Sequence, residues 1–478
     1  MIRQLLLNRK NWDKTAIIDG DKHYTYRDLA KKAIAIQEQL IRPGNVAIFL
    51  PSGTDYIAAF FGTLMAGMVA FPINCQLTKY EVLPLLAQAS VYTVITCEKY
   101  RSVFEDVALQ VLYVEKLTEL GNESLPSIVD VDEHKQMVLL NTSGTTGNPK
   151  IVQLSEKNIA VSTLAYLDKM DYETGDVRYV IATPFSSAYG ILALTACVIK
   201  AFPIVLLQEA FTLDALYRAV ETYRVTHYEG GVMVAILMDQ LAGRPIRYDI
   251  RSLRYFGLAG SKISADILHR LSKAFPQIEF WTGYGMTEAS PLIAKPDKKM
   301  LPEKFASVGT AIKGETILIE VDGTLTSTPY TNGEIVVKGP NVMMGYLHNK
   351  KETDKVIKNG YLHTGDIGYL DEDGYLYICG RKKNLIIVRG FNVHAEEVEA
   401  CILNSKLAKD CFVYGQTDAA GNETVCADIV PAEPDIRVQD IRHYCGVHLS
   451  SYKQPQQIRL LNKIEKTATG KNKKGSSQ

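Results

Sequence analysis

The chain has 478 residues, 46% apolar and 22% charged, an ordinary balance for a globular protein and more length than one average domain needs. Its 53 basic residues equal its 53 acidic ones, so no net field draws nucleic acid or an anionic membrane. The eight cysteines, at 75, 97, 197, 379, 401, 411, 426 and 445, form no Cys-x-x-Cys pair or zinc-spaced cluster, and they read as buried free thiols of a cytoplasmic protein.

The first ten residues hold too short an apolar run for a secretory signal. Apolar runs at 46–50, 69–73, 92–96, 179–182 and 203–207 read as buried strands, with helices at 26–39 and 212–222 between them. Strands alternating with helices imply largely parallel sheets. Residues 56–73 are uncharged and close to membrane-spanning length, but Gly62, Gly67 and Pro72 interrupt them. A buried helix, a glycine turn and a buried strand fit better, and no membrane span is expected.

Between about 305 and 380, short β runs at 317–321, 334–337 and 375–378 alternate with turn pairs: Asp322-Gly323, Asn332-Gly333, Asn359-Gly360 and Asp373-Gly374. Such pairs favour tight hairpins, so an antiparallel, β-barrel-like subdomain is expected. Residues 395–404 and 436–449 then read as helices around strands at 411–414 and 425–430, a small α+β unit.

Five stretches carry chemistry. Apolar 137–140 runs into Thr142-Ser143-Gly144-Thr145-Thr146-Gly147-Asn148-Pro149-Lys150. Glycines there let backbone N–H groups turn toward an anion, and hydroxyls and a lysine add donors, which suits nucleotide phosphates. Gly-Lys followed by Ser or Thr, the common phosphate-loop ending, is absent. Tyr284-Gly285-Met286-Thr287-Glu288 offers an aromatic face, a hydroxyl and a carboxylate suited to Mg²⁺. In Thr364-Gly365-Asp366 the acid can accept two ribose hydroxyls. Gly380-Arg381-Lys382-Lys383 and Thr467-Ala468-Thr469-Gly470-Lys471 add basic loops near the C-terminus. Singly, most of these are ordinary turns or solvated linkers.

Together, in this order, they closely resemble the motifs of the adenylate-forming superfamily, which includes acyl-CoA synthetases, adenylation domains and beetle luciferases. Gly333-Glu334-Ile335 and Gly339-Pro340-Asn341-Val342-Met343-Met344-Gly345-Tyr346 extend the match from about 12 to 474. The resemblance implies an N-terminal domain, 1–382, of two α/β subdomains plus the barrel-like one. A small mobile α+β C-terminal domain, 383–478, would turn about a hinge at Lys383. It implies that ATP activates a carboxylic acid as acyl-AMP, which a thiol then attacks. Thr142, Ser143, Gly144, Thr145, Thr146, Gly147 and Lys150 would cradle phosphates. Ala259, Gly260, Ser261, Tyr284 and Gly285 would hold adenine, and Asp366 and Arg381 the ribose. Thr287 would contact the α-phosphate, Glu288 the magnesium, and Lys471 would bridge carboxylate and α-phosphate. Val388, Arg389 and Gly390, at the end of the 386–390 strand, would line the thiol's tunnel.

The acyl pocket would be lined by Ser187, Tyr189, His227, Gly230, Gly231, Gly260, Gly283 and Met286. Few of these groups are polar, and 184–190 lacks the aspartate that binds an α-ammonium. An uncharged, mainly apolar fatty or aromatic acid is therefore expected. His227 reads equally as a satisfied core histidine. Three departures stand out. Ile151 replaces the usual glycine, which would stiffen the last position of the phosphate loop. Ser187 replaces a histidine, and Asn472-Lys473-Lys474 alters the tail, leaving Lys466 as the competitor of Lys471. CoA is the first choice of thiol. A stand-alone ligase loading the phosphopantetheine of a carrier protein is the alternative, and a nucleotide-binding protein without turnover the second.

Overall fold

The computed structural model describes residues 1–117, 129, 131–142, 149–170, 176–207, 211–260, 263–297, 301–381, 385–418 and 422–464. The chain divides into two compact units. One comprises Met1–Asn74, Ala89–Leu140 and Ile151–Gly380; the other comprises Cys75–Gln88, Asn141–Lys150 and Arg381–Gln478.

The larger unit holds two seven-stranded sheets. The first runs in the order Glu279–Thr282, Tyr255–Ala259, His227–Gly231, Tyr179–Ile181, Ile204–Leu206, Thr15–Asp19, Lys22–Thr25. It is parallel except for its outer pair. The second runs Gly345–Tyr346, Lys150–Ser155, Gln136–Thr142, Val69–Pro72, Asn45–Phe49, Val91–Thr96, Gln110–Tyr113. Several helices between the strands start where the sequence offers side-chain caps. Thr25 and Asp28 form a reciprocal capping box at Tyr26–Gln39, and Ser155 with Asn158 does the same at Glu156–Asp168. Each box satisfies backbone N–H groups that a helix leaves open at its start.

The uncharged 56–73 segment forms the helix Thr54–Met65, a turn at Gly67 (φ 72°) and the strand Val69–Pro72. Phe60, Phe61 and Leu64 are 0% exposed, so the stretch is core. No helix among the described residues is long and apolar enough to cross a membrane. The hairpin-rich region builds a six-stranded sheet around Thr316–Val321, Gly333–Lys338 and Tyr361–Leu370, antiparallel in these pairings. A three-stranded sheet of Tyr284–Gly285, Leu292–Lys295 and Thr310–Ala311 lies in the same unit.

The smaller unit packs the hairpin Leu385–Val388/Phe391–His394 and the helices Ala395–Asn404 and Val438–His448 with a three-stranded sheet, Ala408–Thr417, Glu423–Pro431, Gln457–Leu460. Its core includes Ile386, Val398, Ile402, Val413, Ile429 and Ile441. The helix Lys79–Gln88 belongs to it as well. The buried Lys453 bonds Glu81 at 3.1 Å and Glu397 at 2.7 Å, so its charge enters the interior paired.

Two expectations change. The eight cysteines are free, but only Cys197, Cys411, Cys426 and Cys445 are buried, and Cys379 is exposed. Ile151 does not end a loop. It lies within the strand Lys150–Ser155 at 0% exposure, and its carbonyl accepts from the Leu347 amide at 2.7 Å. A β-branched residue suits that buried strand better than glycine. Ile151→Gly is therefore expected to act on stability, by about 3 kcal/mol or more. A clear fall in the urea midpoint should show it; an unchanged midpoint with altered pyrophosphate affinity would restore the loop reading.

Candidate functional site

The residues around the expected nucleotide site come from several short segments. Tyr284 lies on the strand Tyr284–Gly285, and its hydroxyl donates to Asp366 Oδ2 at 2.6 Å. Asp366, 2% exposed, lies on the strand Tyr361–Leu370. Its amide donates to Thr364 Oγ1 at 3.1 Å, and that hydroxyl donates to the Ile335 carbonyl at 2.8 Å. Glu334 Oε1 accepts from the Gly365 amide at 3.1 Å. The 364–366 turn is thus tied at three consecutive residues, which fixes where the Asp366 carboxylate can go.

Gly285 is required by a close approach: a Cβ there would stand 1.7 Å from the Pro291 carbonyl oxygen. One residue later Met286 precedes a 3₁₀ turn, Thr287–Ala289. Glu288 on that turn is buried, and its Oε1 accepts from the Tyr346 hydroxyl at 2.8 Å. Burial beside Glu288 pushes the Tyr346 phenol well above its usual range. Among the described residues no hydrogen bond occupies Glu288 Oε2. That oxygen fits a hard cation such as Mg²⁺, which takes oxygen ligands.

Ala259 and Gly260 end the strand Tyr255–Ala259, with Gly260 at φ 93°. In the smaller unit Thr142 Oγ1 donates to the Lys150 carbonyl at 3.4 Å, and Lys150 is buried. The hairpin end there carries Val388, buried, with Arg389 (φ 50°) and Gly390 (φ 83°) at its turn. Ser143, Gly144, Thr145, Thr146, Gly147, Ser261, Lys383, Lys466, Lys471 and 472–474 lie outside the described residues, as does the Arg381 side chain.

The expected acyl-pocket residues lie in the larger unit. Ser187 caps the helix Ala188–Lys200: its oxygen accepts from the Gly190 amide at 3.0 Å and donates to the Pro184 carbonyl at 2.8 Å. Replacing the family's histidine here therefore supplies a helix cap. Gly231 is open, and Gly283 has Trp281 and Leu292 as its nearest neighbours. His227 is 2% exposed and stacks between Tyr179 and Tyr255, with Nδ1 2.8 Å from Thr226 Oγ1. Burial, with Arg254 adding repulsion, pushes it down to about 3.

Sequence reading missed Glu229. It is 1% exposed, in the middle of the strand His227–Gly231. The Tyr166 and Tyr189 hydroxyls donate to its two carboxylate oxygens, one each. Burial raises this carboxyl and lowers the Lys295 ammonium, and each charge partly restores the other. Lys295 Nζ stands 4.2 Å from the Trp281 ring centroid. No local pattern announces Glu229 in His227-Tyr228-Glu229-Gly230-Gly231.

The chain matches the family model of AMP-binding enzymes over residues 7–347 and that of their C-terminal domain over 397–471. It is 30% identical to a 2-succinylbenzoate–CoA ligase of Bacillus pumilus, covering 98% of this chain and 97% of that one. The o-succinylbenzoate CoA synthetase of Bacillus subtilis, solved as a double mutant with its product analogue OSB-NCoA, aligns with TM-score 0.86 and 26% identity. That alignment covers 98% of this chain and 96% of the other. The same enzyme with ATP and magnesium aligns with TM-score 0.70 and 27% identity over 98% and 97%.

Two outcomes follow. Tyr284→Phe removes a hydrogen bond to a charged group, so ATP affinity measured by calorimetry should weaken about tenfold. Unchanged affinity would mean that Asp366 is held without the phenol. His227 is held below its usual 6.5, so the unfolded chain takes up its proton first. Its contribution is full above about 6.5 and shrinks as the pH falls toward about 3. The urea midpoint should fall between pH 7.5 and 5, and less steeply in His227→Phe; equal slopes would remove His227 as the cause.

Proposed function

We propose, from the premise that this chain belongs to the AMP-binding enzyme family of the adenylate-forming superfamily, that it joins an aromatic carboxylic acid to CoA through an acyl-adenylate. The observation that carries the nucleotide half is the 2.6 Å bond from Tyr284 to the buried Asp366. It sets an aromatic face for adenine against a carboxylate for ribose hydroxyls. Attack of one anion on another needs neutralised charge and fixed alignment. Thr287 and the 142–150 loop hold the phosphates, and Lys471 spans carboxylate and α-phosphate. Magnesium fits Glu288, and when bound it neutralises phosphate charge.

The aromatic half of the acid expectation has support from relatives named for 2-succinylbenzoate; the fatty half has none. The same names favour CoA over a carrier-bound phosphopantetheine. The chemistry of the first step and that of the second need different surroundings. A turn of the C-terminal domain, 383–478, about Lys383 exchanges Lys471 for the 386–390 strand and its thiol tunnel.

Purified chain with ATP, Mg²⁺ and aromatic acids should catalyse acid-dependent ATP–pyrophosphate exchange and form a CoA thioester. Lys471→Ala should lower exchange by at least about a hundredfold, the scale lost with one electrostatic contact to a transition state. Thioester formation from supplied acyl-adenylate should stay within a few-fold of the parent. Equal loss in both half-reactions would refute the exchange of faces, and no exchange with any aromatic acid would refute the function.

A further inference from the structure

The two rows of residues across the first parallel sheet have opposite characters. Glu229 pairs with Gly257, and Gly257 with Trp281. Gly231 pairs with Ala259 two residues further along, and Gly283 follows two residues after Trp281. Side chains two apart on a strand share a face. A row of small residues, Gly231, Ala259 and Gly283, thus lies just outward of the row Glu229, Gly257 and Trp281, toward the carboxyl ends where such sheets bind ligands. The rows are about 6.6 Å apart, two residues of strand rise, roughly the depth of one benzene ring.

Gly257 leaves the space that the Glu229 carboxylate occupies. A Cβ there would stand 2.0 Å from Glu229 Oε2 and 2.5 Å from the Trp281 ring. Glu229 therefore fills the space over Gly257 and is held there by two phenols. Tyr189, in the first turn of the helix Ala188–Lys200, is half-buried. A phenol has one donor and can also accept. Its donor is committed to Glu229, so toward a ligand the Tyr189 oxygen can only accept. A carboxylate receiving both phenol bonds likewise only accepts and keeps lone pairs. Burial raises the Glu229 carboxyl to about 7, so the wall has this character above that pH and gains a donor below it. Lys295 offsets part of the Glu229 charge, while its Nζ is engaged by the Lys169 and Pro296 carbonyls at 3.4 Å and lies over Trp281.

Resting on the acyl-adenylate reading above, we infer that Glu229 and Tyr189 form an acceptor-only inner wall of the acyl pocket, selecting aromatic acids that carry a hydroxyl or amino donor on the ring. A second carboxylate at that end, such as the succinyl group of the relatives' named substrate, meets like charge and is disfavoured. A ring ending in methyl or hydrogen leaves buried acceptors facing an apolar group, which a site built for hydrogen bonding rejects strongly.

The test is acid-dependent ATP–pyrophosphate exchange by the full chain with benzoate, the methyl-, hydroxy- and aminobenzoates, and 2-succinylbenzoate. At least one hydroxy- or aminobenzoate should exceed its methyl isostere about tenfold or more in kcat/KM, and 2-succinylbenzoate should be poorer than both. Tyr189→Phe should bring the donor-to-methyl ratio down several-fold, and Glu229→Gln, which places an amide donor on the wall, should lower it too. A merely structural loss would reduce all acids alike and leave the ratio unmoved. Robust exchange with benzoate and methylbenzoates but no donor preference would overturn this inference alone. The same holds for a ratio insensitive to both substitutions, or for 2-succinylbenzoate as the best acid. No exchange with any aromatic acid would overturn the underlying function as well.

Discussion

The Asn341 side chain holds the segment on which the site depends. It is 0% exposed, and its Nδ2 donates to the carbonyls of Ala289 at 3.1 Å and Leu292 at 2.8 Å. The Asn341 backbone carbonyl accepts from Ser290 Oγ at 2.7 Å. Two residues on, the Met343 amide donates to the Glu288 carbonyl at 2.8 Å, and Tyr346 bonds the Glu288 side chain. Asn158, from the capping box of Glu156–Asp168, donates to the carbonyls of Pro340 and Val342. The 339–346 stretch therefore joins a helix start, the second seven-stranded sheet and the turn bearing Thr287 and Glu288. Buried polar bonds of this kind are costly to break one at a time, because each loss leaves a desolvated partner.

That arrangement explains which parts were legible in sequence. Tyr26–Gln39 was readable to the residue because its cap, its spacing and its burial all agree. The strands at 46–50, 69–73, 92–96, 137–140, 179–182 and 203–207 were readable because a strand covered on both faces is a short apolar run, whereas His227–Gly231, Tyr255–Ala259 and Glu279–Thr282, which are not such runs, were not. The residues proposed for the nucleotide were readable as motifs, each being a short local segment. Boundaries between loop and strand were not: the backbone runs from Lys150 directly into the sheet, so Ile151 looks like a loop residue until its pairing is known.

Glu229 was illegible for a different reason. Its partners Tyr166, Tyr189 and Lys295 lie 63, 40 and 66 positions away, and only the fold makes them neighbours. A lone acid between Tyr228 and two glycines has no local pattern to announce it. Its place follows from register, since Gly257 and Trp281 face it across two pairings. Ser187 shows the converse. Its position in a family motif invites a substrate role, while its hydrogen bonds are those of a helix cap.

A buried acid held by two phenols and coupled to a buried ammonium gains little stability, because desolvation offsets most of what the partners return. Packing alone would be served as well by an apolar residue over Gly257. What such a residue could not supply is discrimination. An apolar floor separates two acids differing by a hydroxyl only weakly, whereas a floor of committed acceptors leaves unpaired groups behind whenever the wrong acid binds. On the proposed reading, the small residues at Gly231, Ala259 and Gly283 would set how much of the acid enters, and Glu229 what its far end must be. Size and chemistry are thus assigned to adjacent rows of one sheet, so a change in either row can alter the choice of acid without touching Tyr284, Glu288 or Asp366.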